Sequence, residues 1–99
     1  MTRRLVVEPT ARLELGGAAD WYDVNNPGLG SEFIRAFEAA SAAILRNPYQ
    51  YQAVRCEIRR APLRRFPYSL IYTVSDNEIV IVACFHGRRD PKRWQGRIR

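Results

Sequence analysis

The sequence predicts an α+β fold in two layers, ordered β-α-α-β-β-β, with an antiparallel sheet and a helical hairpin packed on one of its faces. Three observations predict it. Two segments of the first half repeat apolar residues at helical spacing and are parted only by Asn25-Asn26-Pro27-Gly28, so the helices they form must fold back on each other. Beyond Pro48 the apolar spacing drops to two, the period of a strand with one buried face. Ile79 to Phe85 is apolar without a break, seven residues that suit a central strand covered on both faces and fall far short of the ~20 a membrane-spanning helix needs.

Arg4 to Glu8 carries Leu5, Val6 and Val7 in a row and reads as a short first strand beside the last one, ended by Pro9, which has no N–H to give a ladder. Thr10 is placed to cap a helix running from Ala11 to about Val24, whose stripe is Leu15, Ala18, Ala19 and Tyr22. Gly16 and Gly17 weaken that helix by roughly 1 kcal/mol each relative to alanine, so its stripe must be buried to hold it. Asn26 as cap and Pro27 as first helical residue open a second helix, with Phe33, Phe37, Ala40 and Ile44 inward, flanked by Ile34 and Leu45, until Asn47 and Pro48 stop it. Val54, Cys56 and Ile58 then alternate with Arg55, Glu57 and Arg59 as one strand. Phe66, Tyr68, Leu70, Tyr72 and Val74 mark the next strand, and Ser75-Asp76-Asn77-Glu78 a tight turn into the last. The expected core is Leu15, Phe33, Phe37, Ile44, Leu70, Ile81 and Phe85.

Ninety-nine residues, 46% hydrophobic and 26% charged, describe a single globular domain over residues 1–99. The opening MTRRLVVEPT reaches an acid and a proline before any signal-peptide core forms, and Cys56 and Cys84 sit in strand-like runs as small buried hydrophobes. Both features suit a reducing cytoplasm and no membrane partner. Charge separates along the chain. Residues 1–50 hold five arginines against six acids, whereas 51–99 hold eleven bases against four acids, and Lys92 is the only lysine among sixteen bases. Guanidinium forks suit phosphate and carboxylate, so an acidic or polyanionic partner is expected.

Three groups of residues stand outside the scaffold. Arg55, Arg59, Arg60, Arg64 and Arg65 face Glu57 alone; on one strand, Arg55 and Arg59 would stand about 13 Å apart on a charged stripe, which is either a binding face or a solvated edge. The ending HGRRDPKRWQGRIR places His86, Arg88, Arg89, Arg93 and Trp94 just past the last strand. A lone histidine there is either structural or a proton-transfer group, and with no second histidine no imidazole metal site is expected, nor any cofactor. Tyr49, Tyr51, Phe66, Tyr68, Tyr72 and Trp94 intermingle with arginines, as core packing or as a base-stacking surface. No nucleophile elbow, phosphate-cradling glycine loop or paired carboxylates appear, so any catalysis must rest on arginine, histidine or tyrosine, which suits RNA cleavage through the substrate's own 2′-hydroxyl.

The segment NPGLGSEFIRAFEAASAAILRNP, the strand RRFPYSLIYTV and the ending IVIVACFHGRRDPKRW together resemble the RelE/ParE superfamily of toxins from bacterial type II toxin-antitoxin modules, in its ParE-like or plasmid-stabilisation branch. The resemblance spans nearly the whole chain. It implies a small cytoplasmic toxin neutralised by a cognate antitoxin and acting either on DNA gyrase, as ParE-like members do, or as a ribosome-dependent mRNA endonuclease, as RelE-like members do; a non-toxic or decayed binding module is the third reading. The nuclease branch carries an arginine after the tyrosine of FPY, where this chain has Ser69, and a tyrosine where this chain has Trp94 or Gln95. If the chain is nonetheless a nuclease, His86, Arg89 and Arg65 are its candidate catalytic residues. Otherwise Arg59, Arg60, Arg64, Arg65, Arg88, Arg89, Arg93 and Trp94 are expected to contact the target, and Trp21 and Tyr22, of which only one can turn fully inward, the antitoxin.

Overall fold

A computed structural model describes residues 3–88. Its elements run β1 (Arg4–Val7), α1 (Pro9–Asn25), α2 (Leu29–Arg46), β2 (Ala53–Arg55), β3 (Ile58–Pro62), β4 (Tyr68–Val74) and β5 (Glu78–His86). The two helices pack on one face of a five-stranded sheet ordered β1-β5-β4-β3-β2. The α+β class, the helical hairpin and the central last strand stand as the sequence predicts, and β5 does lie between two neighbours.

One turn was not legible and it changes the sheet. Val54 to Arg59 is not a single strand: Cys56 and Glu57 form a two-residue turn between β2 and β3, with Cys56 in the left-handed region at φ 49°. Arg55 and Arg59 therefore lie on different strands, and Cys56 is exposed rather than buried. Because short links make each element reverse the one before it, an extra reversal inverts the relation of first to last. Six alternating elements would set the end strands antiparallel; seven set them parallel, and β1 pairs with β5 in parallel, Leu5 beside Ile79 and Val7 beside Ile81. The remaining pairs are antiparallel.

A second irregularity divides the core. In the β4–β5 ladder Ile71 pairs with Ala83 but Tyr72 pairs with Ile81, which leaves Val82 as an unpaired bulge. The bulge shifts the alternation of β5 by one. Ile79, Ile81 and Cys84 face the helices and join Ala11, Leu15, Phe33, Ile44, Leu70 and Tyr72, whereas Val82, Ala83 and Phe85 join Ile58 and Ile71 in a separate buried cluster. Phe85 is thus buried, but not under the helices. Phe37 packs against the helix-side core while only half-buried.

The helix ends also differ from expectation. Glu8, not Thr10, is the N-cap of α1, with Pro9 taking the first helical position. The second helix starts at Leu29 after Gly28 in the left-handed conformation (φ 93°), not at Pro27. Its N-terminus is bound from the preceding helix: the N–H groups of Gly28 and Gly30 donate to Asp23 Oδ1 at 3.2 and 2.7 Å. Gly30 is required there, since a Cβ would stand 2.5 Å from the Ala19 carbonyl oxygen. The loop after α2 is tied down by the buried Tyr72 hydroxyl, which donates to the Pro48 carbonyl at 2.6 Å. No helix among the described residues is long and apolar enough to cross a membrane.

Candidate functional site

The hairpin leaves a concavity on each flank. The larger, about 1070 Å³, lies between α1 and the far ends of β4 and β5. Glu14 sets its depth: Oε1 accepts the backbone N–H of Cys84 at 3.1 Å, pinning α1 to β5 beyond the point where β1 has ended. The Cys84 thiol lies beneath, pushed up to about 12 by burial and then by the Glu14 charge. It is therefore protonated at neutral pH and no nucleophile. Burial, followed by its neighbours Tyr68 and Cys84, also raises the Tyr22 hydroxyl above its usual value. Tyr22 belongs to an aromatic cluster, with ring centroids 5.4 Å from Phe33 and 4.9 Å from Phe66.

Trp21 and Tyr22 divide as expected, one outward and one inward. Tyr22 is half-buried, while Trp21 stands edge-on to it at 5.2 Å and remains 60% exposed at the mouth of the cleft. His86 enters the same cleft because the Val82 bulge turns it to the helix side, where its ring meets Tyr68 edge-on at 5.1 Å. Its Nδ1 accepts the Arg88 backbone N–H at 3.0 Å, so the neutral ring carries its proton on Nε2.

The smaller concavity, about 610 Å³, lies between α2 and β3 with the turn that follows it. Ala36, Ala39, Ala40 and Ala43 line it from α2, together with Arg35 and Arg46 of the same helix and Arg64 and Arg65 of the turn. Arg65, at φ 71°, places its guanidinium 2.8 Å from Glu32 Oε1 and over the ring of Phe66.

The predicted arginine cluster is not one patch. Arg59 and Arg60 are neighbours on a strand and so point to opposite faces. Arg59 is spent inside the fold, donating to the Tyr51 carbonyl at 2.7 Å and lying over the Tyr49 ring at 5.0 Å. Arg60 and Arg64 are exposed, as is Arg88 in the turn after β5. Of the nuclease candidates, His86 lines the larger concavity and Arg65 the smaller, so the two are not brought together. Arg89, Arg93 and Trp94 lie outside the described residues. Sequence reasoning missed Asp23 and Glu14, each of which gains its role only from a partner on another element, and the placing of Arg35 and Arg46 beside the smaller concavity. Asp23 alone left a local signal, an acid just ahead of a helix start that has no cap of its own.

Comparison with known proteins places this geometry. A model of the family described as ParE toxin of type II toxin-antitoxin system, parDE, matches residues 5–91. Among solved structures, the chain is similar to one described as the chromosomal ParDE TA system from P. aeruginosa, at a TM-score of 0.75 and 19% identity over 86% of this chain and 96% of that one. No curated protein matches the sequence.

Proposed function

The chain belongs to the ParE toxin family of type II toxin-antitoxin systems, and from that premise we propose that it is a cytoplasmic toxin that arrests growth by binding DNA gyrase and is held inactive by a cognate antitoxin. The observation that carries the choice of binding over catalysis is the scattering of the cations a nuclease would gather. Ser69, where the nuclease branch of the resemblance has an arginine, is buried in β4 between Pro62 and Phe85 and can present no charge. Arg65 pairs with Glu32 at 2.8 Å, and Arg59 is committed to the loop after α2. Transition-state stabilisation needs several groups aimed at one point, and among the described residues the nuclease candidates His86 and Arg65 line different concavities.

In this reading Arg60 and Arg88, with Arg89, Arg93 and Trp94 beyond the described residues, supply the target contact. Trp21 and the mouth of the larger concavity receive the antitoxin, since an exposed tryptophan beside a cleft is the sort of anchor that dominates a protein interface. A second reading, cleavage of mRNA on the ribosome, draws on one observation: His86, Tyr68 and Arg88 line a common cleft.

Induction of the chain in bacterial cells separates these. The expected order is a DNA-damage response with gyrase-linked breaks before any fall in translation. Early translation arrest with cut mRNA, lost in His86→Ala while ribosome affinity is kept, would replace this reading with the nuclease. Undisturbed growth at full expression without antitoxin would remove both.

A further inference from the structure

We infer that the face of the sheet away from the helices is the docking site of the chain's own C-terminal segment, Arg89 to Arg99, which lies outside the described residues, with Trp94 as its anchor on Ile71, Ala83 and Phe85. Burial on that face is the first reason. Ile58, Ile71, Val82, Ala83 and Phe85 form a cluster of their own, none of them more than 7% exposed. Strand side chains stand perpendicular to the sheet, so their ladder neighbours shield their flanks and leave their tips open. Tips this closed need atoms above them, yet the residues of α1 and α2 pack into the core on the other face. The cover is also local. Thr73 and Val80, paired with each other on the same face two rungs nearer the start of β5, are only half-buried, and Arg60 beside Ile71 is exposed.

The two chain ends differ in which of them can supply that cover. Two residues precede Arg3, beside the edge strand β1, and they span at most about 7 Å. Arg4 is level with Glu78, about 23 Å along β5 from Phe85 at strand rise, so this end falls short. Eleven residues follow Arg88, just past Phe85, and they span up to about 36 Å. The way back from Arg88 to the level of Ile71 and Ala83 is about 17 Å. Composition agrees with reach. Pro91, Trp94 and Ile98 fall at i, i+3 and i+7, one side of a helical segment, while Arg89, Lys92, Arg93, Arg97 and Arg99 all fall on the other. A partner protein covering this face would leave it open in the single chain, where it is closed.

The docking has a functional consequence. Ser69 shares the face with Ile71, lies between Pro62 and Phe85, and is buried with them. The surface on which the nuclease branch carries its arginine is therefore shut by the chain itself. In the target contact proposed above, Trp94 acts by holding Arg89 and Arg93 outward. The docking stands without the toxin reading, and only the use of those two arginines rests on it.

The test uses the full chain. Trp94 is the one indole left in Trp21→Phe, and its emission should be blue-shifted and hardly quenched by acrylamide. Trp94→Phe, which leaves the exposed Trp21, should emit further to the red and quench readily. In the unsubstituted protein, nuclear Overhauser contacts should join the Trp94 ring to the methyl groups of Ile71 and Ala83, a measurement that needs no variant to fold. Trp94→Ser should bind an apolar dye more strongly and melt at a lower temperature, because the cluster beneath is uncovered. Arg89→Gln with Arg93→Gln, which keeps the anchor, should change neither, while weakening gyrase inhibition. Trp94 as readily quenched as Trp21, no contact between its ring and those methyl groups, or unaltered dye binding by Trp94→Ser would each overturn the inference. Undisturbed growth on induction, with Trp94 still shielded, would remove the toxin reading and keep the docked segment.

Discussion

The two helices of the hairpin are nearly equal in length and opposite in design. In α2, every local device agrees with the helix: an acid, Glu32, in the first turn, a base, Arg46, in the last, an N-terminus whose free N–H groups are bound by Asp23, and an inward stripe of Phe33, Ala40 and Ile44. In α1 the devices are missing. No acid stands in its first turn, no base in its last, no side chain binds its N-terminal N–H groups, and Gly16 and Gly17 occupy its middle. Beside its buried Ala11, Leu15 and Ala18 it exposes Leu13 at 76%, Trp21 at 60% and Val24 at 84%. An isolated α1 would be a poor helix, and it is held by what it touches: Glu14 on Cys84, Tyr22 among Phe33 and Phe66, and Gly30 close beneath Ala19. The contrast teaches that α2 is supported by its own ends and stripe while α1 is supported by its tertiary contacts, which leaves Leu13, Trp21 and Val24 exposed on its outer face.

The strongest test of the α2 stripe is Phe33→Ala. Phe33 is fully buried and its ring meets those of Tyr22, Phe66 and Tyr68, so the loss should be about 3–5 kcal/mol by denaturant titration, with Phe37→Ala clearly less costly because Phe37 is only half-buried. Equal losses would mean the two positions share the core evenly.

The glycines separate the helices by sign. Gly30→Ala forces a Cβ to within 2.5 Å of the Ala19 carbonyl oxygen and should destabilise by about 1–3 kcal/mol as the hairpin is pushed apart. Gly16→Ala and Gly17→Ala meet nothing within 4 Å and should each raise stability by about 1 kcal/mol. A stabilising Gly30→Ala would break the comparison outright.

Asp23→Ala tests whether α1 supplies α2 with its cap. Two N–H groups lose their acceptor, an effect of about 1 kcal/mol in the melting curve, and Asp23→Asn should recover part of it.

A pH dependence, confined to strongly alkaline solution, reads the seating of α1 on β5. Burial first, then the Glu14 carboxylate, lifts Cys84 from 9.0 to about 12 in the folded protein, so the folded state favours the protonated thiol. That stability is fully present below pH 9 and is lost as pH rises through about 12. Tyr72, raised from 10.0 to about 12 by burial against the opposing influence of Arg59, acts in the same direction. Maleimide labelling near neutral pH should modify the exposed Cys56 quickly and Cys84 only when α1 lifts. Comparable labelling rates at the two thiols would show that α1 is not seated as described.

Most of the fold was legible because burial patterns are local. The stripes Leu15–Ala18–Tyr22 and Phe33–Ala40–Ile44, the alternation along β4 and the unbroken run of β5 each lie within one element, where period alone says which side faces inward. Of the candidate site, the exposed Trp21 over an inward Tyr22 was legible for the same reason. The arginines were not, since a sequence can count guanidiniums but cannot say that Arg59 turns in to Tyr51 while Arg64 stays out in solvent.

By itself, then, the sequence determined the two helices, the helix-facing alternation of β4, the buried run of β5 and the basic character of the second half, all consequences of the spacing or composition of residues along the chain. Only the tertiary structure decided the direction of β1 against β5, the face that Phe85 and His86 occupy, the cap that Asp23 supplies and the meeting of Arg35, Arg46, Arg64 and Arg65 around the smaller concavity. The physical reason is that these depend on single backbone events, a turn at Cys56 and a bulge at Val82, and on contacts between elements. Each reverses or shifts everything downstream by one step while leaving almost no trace in the local pattern of apolar and polar residues.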